Sequence, residues 1–212
     1  SCLTHSASAV RRQALLRLAA LMPSDLSAHV PKVIDRLSDP DAGTRMAAVE
    51  ALSLLDEKTQ QAHIAAITQL LERPSAHVRY AALKALDASL ALVQLDTVVR
   101  SLGDPAASVR TAALAIIKKV PASKVEQHAP TIVAHLQDSL LDVRRGALDA
   151  LSTLDASALA AHACAPVVEI LRTPGCDRET RKAAFAVLQR LDSADLQGQL
   201  TTETVSGWLV HP

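Results

Sequence analysis

The chain has 212 residues, and its 22 Lys and Arg are balanced by 22 Asp and Glu. A zero net charge argues against a nucleic-acid scaffold, whose affinity rests on a clear basic excess, and aromatics at 1% leave no base-stacking platforms. No apolar run approaches the ~20 residues of a membrane span, and the core must come from the Ala, Leu, Val and Ile that dominate the 49% hydrophobic content. Ala and Leu are strong helix formers, Gly is scarce, and few segments alternate with period two, so the chain reads as all-α.

Arginines mark a repeat. Each precedes a small-apolar run: Arg11, Arg45, Arg79, Arg110, Arg144 and Arg181, spaced by 34, 34, 31, 34 and 37 residues. Near-equal steps with matching neighbours are the signature of a repeat architecture. Each Arg opens an inner helix, predicted over 9–21, 42–55, 76–89, 108–120, 142–154 and 178–191. Turns carrying Pro40, Pro74, Pro105, Ser139 and Pro174 precede the last five, since proline ends one helix and is tolerated at the start of the next. Outer helices are predicted over 26–37, 59–71, 92–102, 124–136 and 157–171, with links such as Asp56-Glu57-Lys58-Thr59 supplying caps. A helical pair of this size cannot bury its apolar face alone, so pairs must stack into a solenoid.

The units Asp39-Pro40-Asp41-Ala42-Gly43-Thr44-Arg45, Asp104-Pro105-Ala106-Ala107-Ser108-Val109-Arg110 and Asp138-Ser139-Leu140-Leu141-Asp142-Val143-Arg144 resemble HEAT repeats, and most of all the HEAT-like repeats of the PBS-lyase type. The resemblance covers about residues 6–192 and implies an α-solenoid of five to six helical-hairpin repeats. The units are 6–23, 24–56, 57–89, 90–120, 121–155 and 156–192, with 193–212 as a C-terminal cap segment and 1–212 as one domain. It further implies that Asp39, Arg45, Arg79, Asp104, Arg110, Asp138, Arg144 and Arg181 form a ladder of hydrogen bonds between successive repeats. Arg73 stands where the second unit should have its Asp, which should break the ladder at one joint. An insertion at Thr173-Pro174-Gly175-Cys176 should make the fifth turn bulge.

The first inner helix lacks an outer partner, and residues 202–210 look like an outer helix without an inner one. With Leu15, Leu16, Leu18 and Leu21 in the first helix, these ends read as part of a longer solenoid or of an assembly, and Trp208 as a cap on the last repeat. The three cysteines (Cys2, Cys164 and Cys176) have no CxxC spacing, so neither a disulfide framework nor a zinc site is expected, and an intracellular, reducing compartment fits best.

Histidines recur 16 residues before an Arg, at His29, His63 and His128, with Gln94 in the same place. Neighbouring helix pairs sit ~10 Å apart while a metal ligand lies at ~2 Å, so no shared metal is expected. These side chains read as polar residues at the start of the outer helices. His162, Cys164, Cys176 and Asp177 read as an inert set rather than a thiol or metal centre, with Cys164 buried and Cys176 exposed. No nucleotide-binding, hydrolase or metalloprotease motif appears, so neither catalysis nor a cofactor is expected.

A recognition surface remains. By helical periodicity, the positions one, five and eight after each Arg share a face, the concave face that solenoids use. Arg12, Met46, Tyr80, Lys84, Lys118, Arg145 and Lys182 are its candidate contacts. The expected function is a non-catalytic protein-interaction scaffold or structural subunit with a protein partner. The PBS-lyase resemblance offers an alternative, a protein that handles a bilin or other tetrapyrrole.

Overall fold

The structure is a computed structural model that describes residues 2–20, 26–86, 91, 93–173 and 176–191. The regular elements among them are all helical, and none is long and apolar enough to cross a membrane. Contacts divide the chain into two units, residues 1–116 and 117–212. The predicted cap segment and Trp208 lie outside the described residues.

In the first unit, α1 (Ser8–Ala19), α3 (Ala42–Ser53) and α5 (Ala76–Ala85) are inner helices, α1 packing on α3 and α3 on α5. The outer helices α2 (Val30–Asp35) and α4 (Glu57–Gln69) back onto α3 and α5 respectively. They are followed by α6 (Leu95–Arg100) and by α7 (Ala107–Ile117), which runs to the unit boundary. In the second unit, the inner helix α10 (Leu141–Leu151) packs on the inner helix α13 (Arg178–Leu188). Behind these lie α8 (Ala122–Val125), α9 (Ala129–Ala134), α11 (Ala156–His162) and α12 (Cys164–Arg172).

Packing without aromatics is possible because the inner helices after α1 repeat one small-large pattern. Three residues after the Arg stand Ala48, Ala82, Ala113, Ala147 and Ala184, every one at 0% exposure. Seven after it stand Leu52, Leu86, Ile117, Leu151 and Leu188, all buried. The alanines let helix backbones approach closely, and the larger residues fill the space between layers at crystal-like density.

Most outer helices end in a 3-10 turn, over Arg36–Ser38, Leu70–Glu72, Ser101–Gly103 and His135–Gln137. Each turn swings a leucine (Leu37, Leu71, Leu102 or Leu136) into the core. The chain then leaves in an extended conformation, at φ −62°, ψ 141° for Asp39 and φ −66°, ψ 136° for Asp104. That exit sets up the joints between repeats.

The outer helices differ from expectation in one respect. The segments expected as single helices at 26–37, 124–136 and 157–171 are interrupted at His29, His128 and Ala163. Pro31 and Pro130 fit two of these restarts, since each sits at the second position of a restarted helix, where a missing N–H leaves no bond unmade, while α6 restarts after Gln94 with Asp96 in the matching place. Pro166 likewise falls within the first turn of α12. In α4 the matching position is Ala65, and that helix runs without a break. His29, Gln94 and His128 therefore mark restarts inside the outer segments, whereas His63 lies in mid-helix.

Among the described residues, the inner helices α3 and α13 carry a side-chain cap. Asp41 accepts from the Thr44 N–H at 2.7 Å and Asp177 from the Thr180 N–H at 2.8 Å. Thr44 and Thr180 occupy the buried place just before the Arg that Val78, Val109 and Val143 fill elsewhere. Threonine has the shape of valine, and its buried hydroxyl needs a partner. Each threonine donates to its own capping aspartate, at 2.8 and 2.6 Å. Thr and Asp therefore occur together, and Val occurs where the cap position is Ser75, Ala106 or Leu140.

Candidate interaction surface

The Arg that opens each inner helix turns back on its own inter-helix turn. Nη1 donates to the carbonyls six and five residues earlier: Arg45 to Asp39 and Pro40 at 2.7 and 3.0 Å, Arg79 to Arg73 and Pro74 at 2.8 Å each. Arg11, Arg110 and Arg144 do the same. In the last unit, among the described residues, Arg181 reaches the Cys176 carbonyl at 3.4 Å, and its buried Nε has no partner there. This grip fixes where the other edge of each guanidinium points.

That edge faces the next repeat. Arg11 Nε and Nη2 donate to Asp39 at 2.7 Å each, and Arg79 Nε and Nη2 to Asp104 at 2.6 and 2.8 Å, a bidentate fork in both cases. Each aspartate also accepts a backbone N–H two residues on, from Asp41 and Ala106. Burial alone would push the Asp39 and Asp104 carboxyls up, but the arginine bonds, the backbone N–H groups and the neighbouring cations together hold both below the usual range. Arg11 and Arg79 are raised in return, chiefly by their hydrogen bonds to these carboxylates.

The bonds within a unit therefore run from Arg to turn carbonyl, while carboxylates are shared across units. At the second unit Arg73 occupies the aspartate's place. In the last, the acceptor for Arg144 is Asp177, at 3.1 Å, rather than a residue before Pro174. Sequence reasoning missed this role. The signal was available in Asp177-x-x-Thr180, which repeats the capped pattern Asp41-x-x-Thr44. Asp177 combines both tasks, and its bonds to Thr180, then to Arg144, bring its carboxyl down to about 2.

Cys164 is buried and Cys176 half-buried, more enclosed than the exposure expected of it. Burial pushes the Cys176 thiol up, and Asp177 adds to this, so the thiolate that reactivity requires is disfavoured. Cys176 lines a cavity of about 450 Å³ in the second unit with Leu136, Arg144, Ile170 and Thr180. Among the described residues no group of three or more His, Cys, Asp or Glu is arranged to hold a metal ion.

The candidate contacts lie on solvent-facing parts of the inner helices. In the first unit Arg12, Met46 and Lys84 are exposed and Tyr80 is half-buried. Leu16 and Met46, at 39% and 43% exposure, border a trough of about 360 Å³ whose other walls are Ala47 and Val49, with Arg12 and Glu50 at its edge. Gly43 lets the Arg12 side chain lie close over α3, because a β-carbon there would come within 2.9 Å of Arg12 Nη1. In the second unit Lys118, Arg145 and Lys182 are exposed, and Lys118 forms an ion pair with Asp149 at 2.8 Å.

Stacked helical hairpins with a periodic core, joined by arginine forks, define an α-solenoid of the HEAT and armadillo type. A family model described as HEAT repeats matches residues 1–87 and 30–117, more than half of the chain. The chain belongs to the HEAT-repeat family. No curated protein sequence matches it. Among solved structures, it is similar to an engineered protein from the Northeast Structural Genomics Consortium, with 20% identity, 89% of this chain and 93% of that one covered, and a TM-score of 0.61. It is also similar to a designed armadillo repeat protein in complex with the peptide (KR)4, with 16% identity, 90% and 97% coverage and a TM-score of 0.62. A third similar structure belongs to computationally designed armadillo repeat proteins for modular peptide recognition, with 17% identity, the same coverage and a TM-score of 0.58. At these identities the likeness concerns the fold.

Proposed function

We propose that the chain is a non-catalytic scaffold that binds a partner polypeptide on its inner-helix face. The observation that carries this reading is the trough between α1 and α3, where Leu16 and Met46 stay exposed beside Arg12 and Glu50. Exposed large apolar side chains grouped between charged ones are characteristic of binding surfaces. Tyr80 and Lys84 continue the same helical positions on α5, and Tyr is enriched at binding hot spots. In the second unit the matching positions are Lys118, Arg145 and Lys182. Solenoids present such faces to partners, and of the similar structures one is a complex with a peptide and another was designed for peptide recognition. The cation-rich contacts favour a segment with an apolar anchor and acidic flanks.

Among the described residues, three cavities do not favour a tetrapyrrole. The cavities of about 450, 360 and 170 Å³ have no aromatic residue in their walls. Photo-crosslinkers placed at Met46 and Tyr80, with a third at Gln61 on the outer helix α4, test the scaffold reading. The expected result is a polypeptide adduct at the first two positions, absent at Gln61 and lost when Lys84→Glu is added. Equal labelling at all three positions would reject the assignment of the face.

A further inference from the structure

The break in the arginine series leaves a fork without its carboxylate. Arg45 is held as Arg11 and Arg79 are, through Nη1 on two turn carbonyls at 2.7 and 3.0 Å. Its Nε and Nη2, the atoms that grip Asp39 and Asp104 in the other two cases, make no hydrogen bond among the described residues. Residue 73 follows Arg45 by the same 28 positions as Asp39 follows Arg11. Its backbone, at φ −70° and ψ 146°, matches that of Asp39 and Asp104. The side chain at 73 therefore leaves the turn from the place that elsewhere supplies the carboxylate, and it is an arginine. It is exposed and forms no ion pair among the described residues.

We infer that this joint is a binding site for a carboxylate side chain, Asp or Glu, of a partner polypeptide, gripped by the Arg45 fork and accompanied by Arg73. The intact joints show what such a carboxylate would meet, two parallel N–H bonds of 2.6 to 2.8 Å. A planar fork already fixed by its own turn loses little further freedom on binding, which favours a bidentate carboxylate over a diffuse cloud of counter-ions. Replacing Asp by Arg removes the internal competitor and adds a second cation at the same joint. Glu72, the acidic neighbour in sequence, is exposed and makes no bond to either arginine. The site lies at the inter-helix turn and does not depend on the inner-helix face.

The test is an NMR titration that follows the backbone N–H resonance of residue 45 in the full chain, which every variant retains, as an acetylated, amidated Gly-Glu-Gly-Glu-Gly peptide is added. Saturable movement is expected, weakened about tenfold by Arg45→Lys, which keeps the charge but not the fork. Arg73→Asp should abolish the movement and raise the melting temperature, because the new carboxylate closes the joint from within. If that variant fails to fold, Arg45→Gln serves instead and should abolish binding. Gln61→Ala on the outer helix α4 should leave the titration unchanged, which shows that the response is local to this joint. An unmoved resonance, undiminished binding by Arg45→Lys, or half-saturation by inorganic phosphate at or below the peptide concentration would each overturn the inference.

Discussion

The same arginine-carboxylate pairing occurs at two depths, and depth decides its worth. Asp39 and Arg11 have side chains at 0% and 9% exposure, whereas Asp177 and Arg144 are at 33% and 24%. Removing one partner of a buried pair strands the other charge, so Asp39→Ala should cost about 3–5 kcal/mol in urea denaturation. Asp177→Asn keeps an acceptor for the Thr180 N–H but replaces the oxygen that takes the Thr180 hydroxyl and Arg144 by an amide nitrogen, so its cost should be about 1–2 kcal/mol, still below that of Asp39→Ala. Near-equal costs would mean that burial does not set the value of these joints. Acid should expose the same chemistry. Asp39, Asp104 and Asp177 all have folded carboxyls below their ordinary 3.8, Asp177 at about 2. A carboxyl depressed in the folded state contributes stability that is complete above the unfolded value and is lost as pH falls through the folded one. The urea midpoint should therefore be insensitive to these groups well above pH 3.8 and fall between there and about 2, less steeply in Asp177→Asn.

At the scale of the element, the repeat lets one unit predict what another tolerates. Gly103 stands just before Asp104, where the other units have Ser38, Glu72 and Gln137. A β-carbon at Gly103 would meet nothing within 4 Å. Gly103→Ala should therefore stabilise by about 0.4–1 kcal/mol through the lost freedom of the unfolded chain, a rise visible in the melting temperature. A fall would mean that this turn differs from its relatives. The inner helices were legible in the sequence to within a few residues, because the Arg, the alanine three later and the preceding turn are local signals. Interruptions of the outer segments were less legible. Apolar periodicity runs through Pro31 and Pro130 without a change of phase, so only the backbone consequence of proline separates one helix from two. Asp39 and Asp104 could be named as members of the ladder, but which arginine reaches each could not, because Arg11 reaches Asp39 across 28 residues and Arg144 reaches Asp177 across 33. An insertion moved the second acceptor out of register, and only its capping pattern could have revealed it.

At the scale of the whole molecule, a repeat architecture makes stability a sum of units and of the interfaces between neighbours. Local contacts then limit how far a substitution is felt. Asp39 belongs to the unit of residues 1–116 and Ile132 to that of residues 117–212, and both are fully enclosed. Ile132→Val removes one methyl group and should cost about 0.5–1.5 kcal/mol. Combined with Asp39→Ala, the two losses should add to within about 0.5 kcal/mol, since they share no partner. Arg11→Met with Asp39→Ala is the opposite case, since the second change removes the charge that the first would strand. That double variant should be markedly more stable than the sum of its parts, and it should recover part of the loss in Asp39→Ala itself. Urea denaturation of the three single and two double variants decides the matter. Coupling above about 1 kcal/mol between Asp39 and Ile132 would show strain passing through many repeats and would reject nearest-neighbour behaviour for this chain.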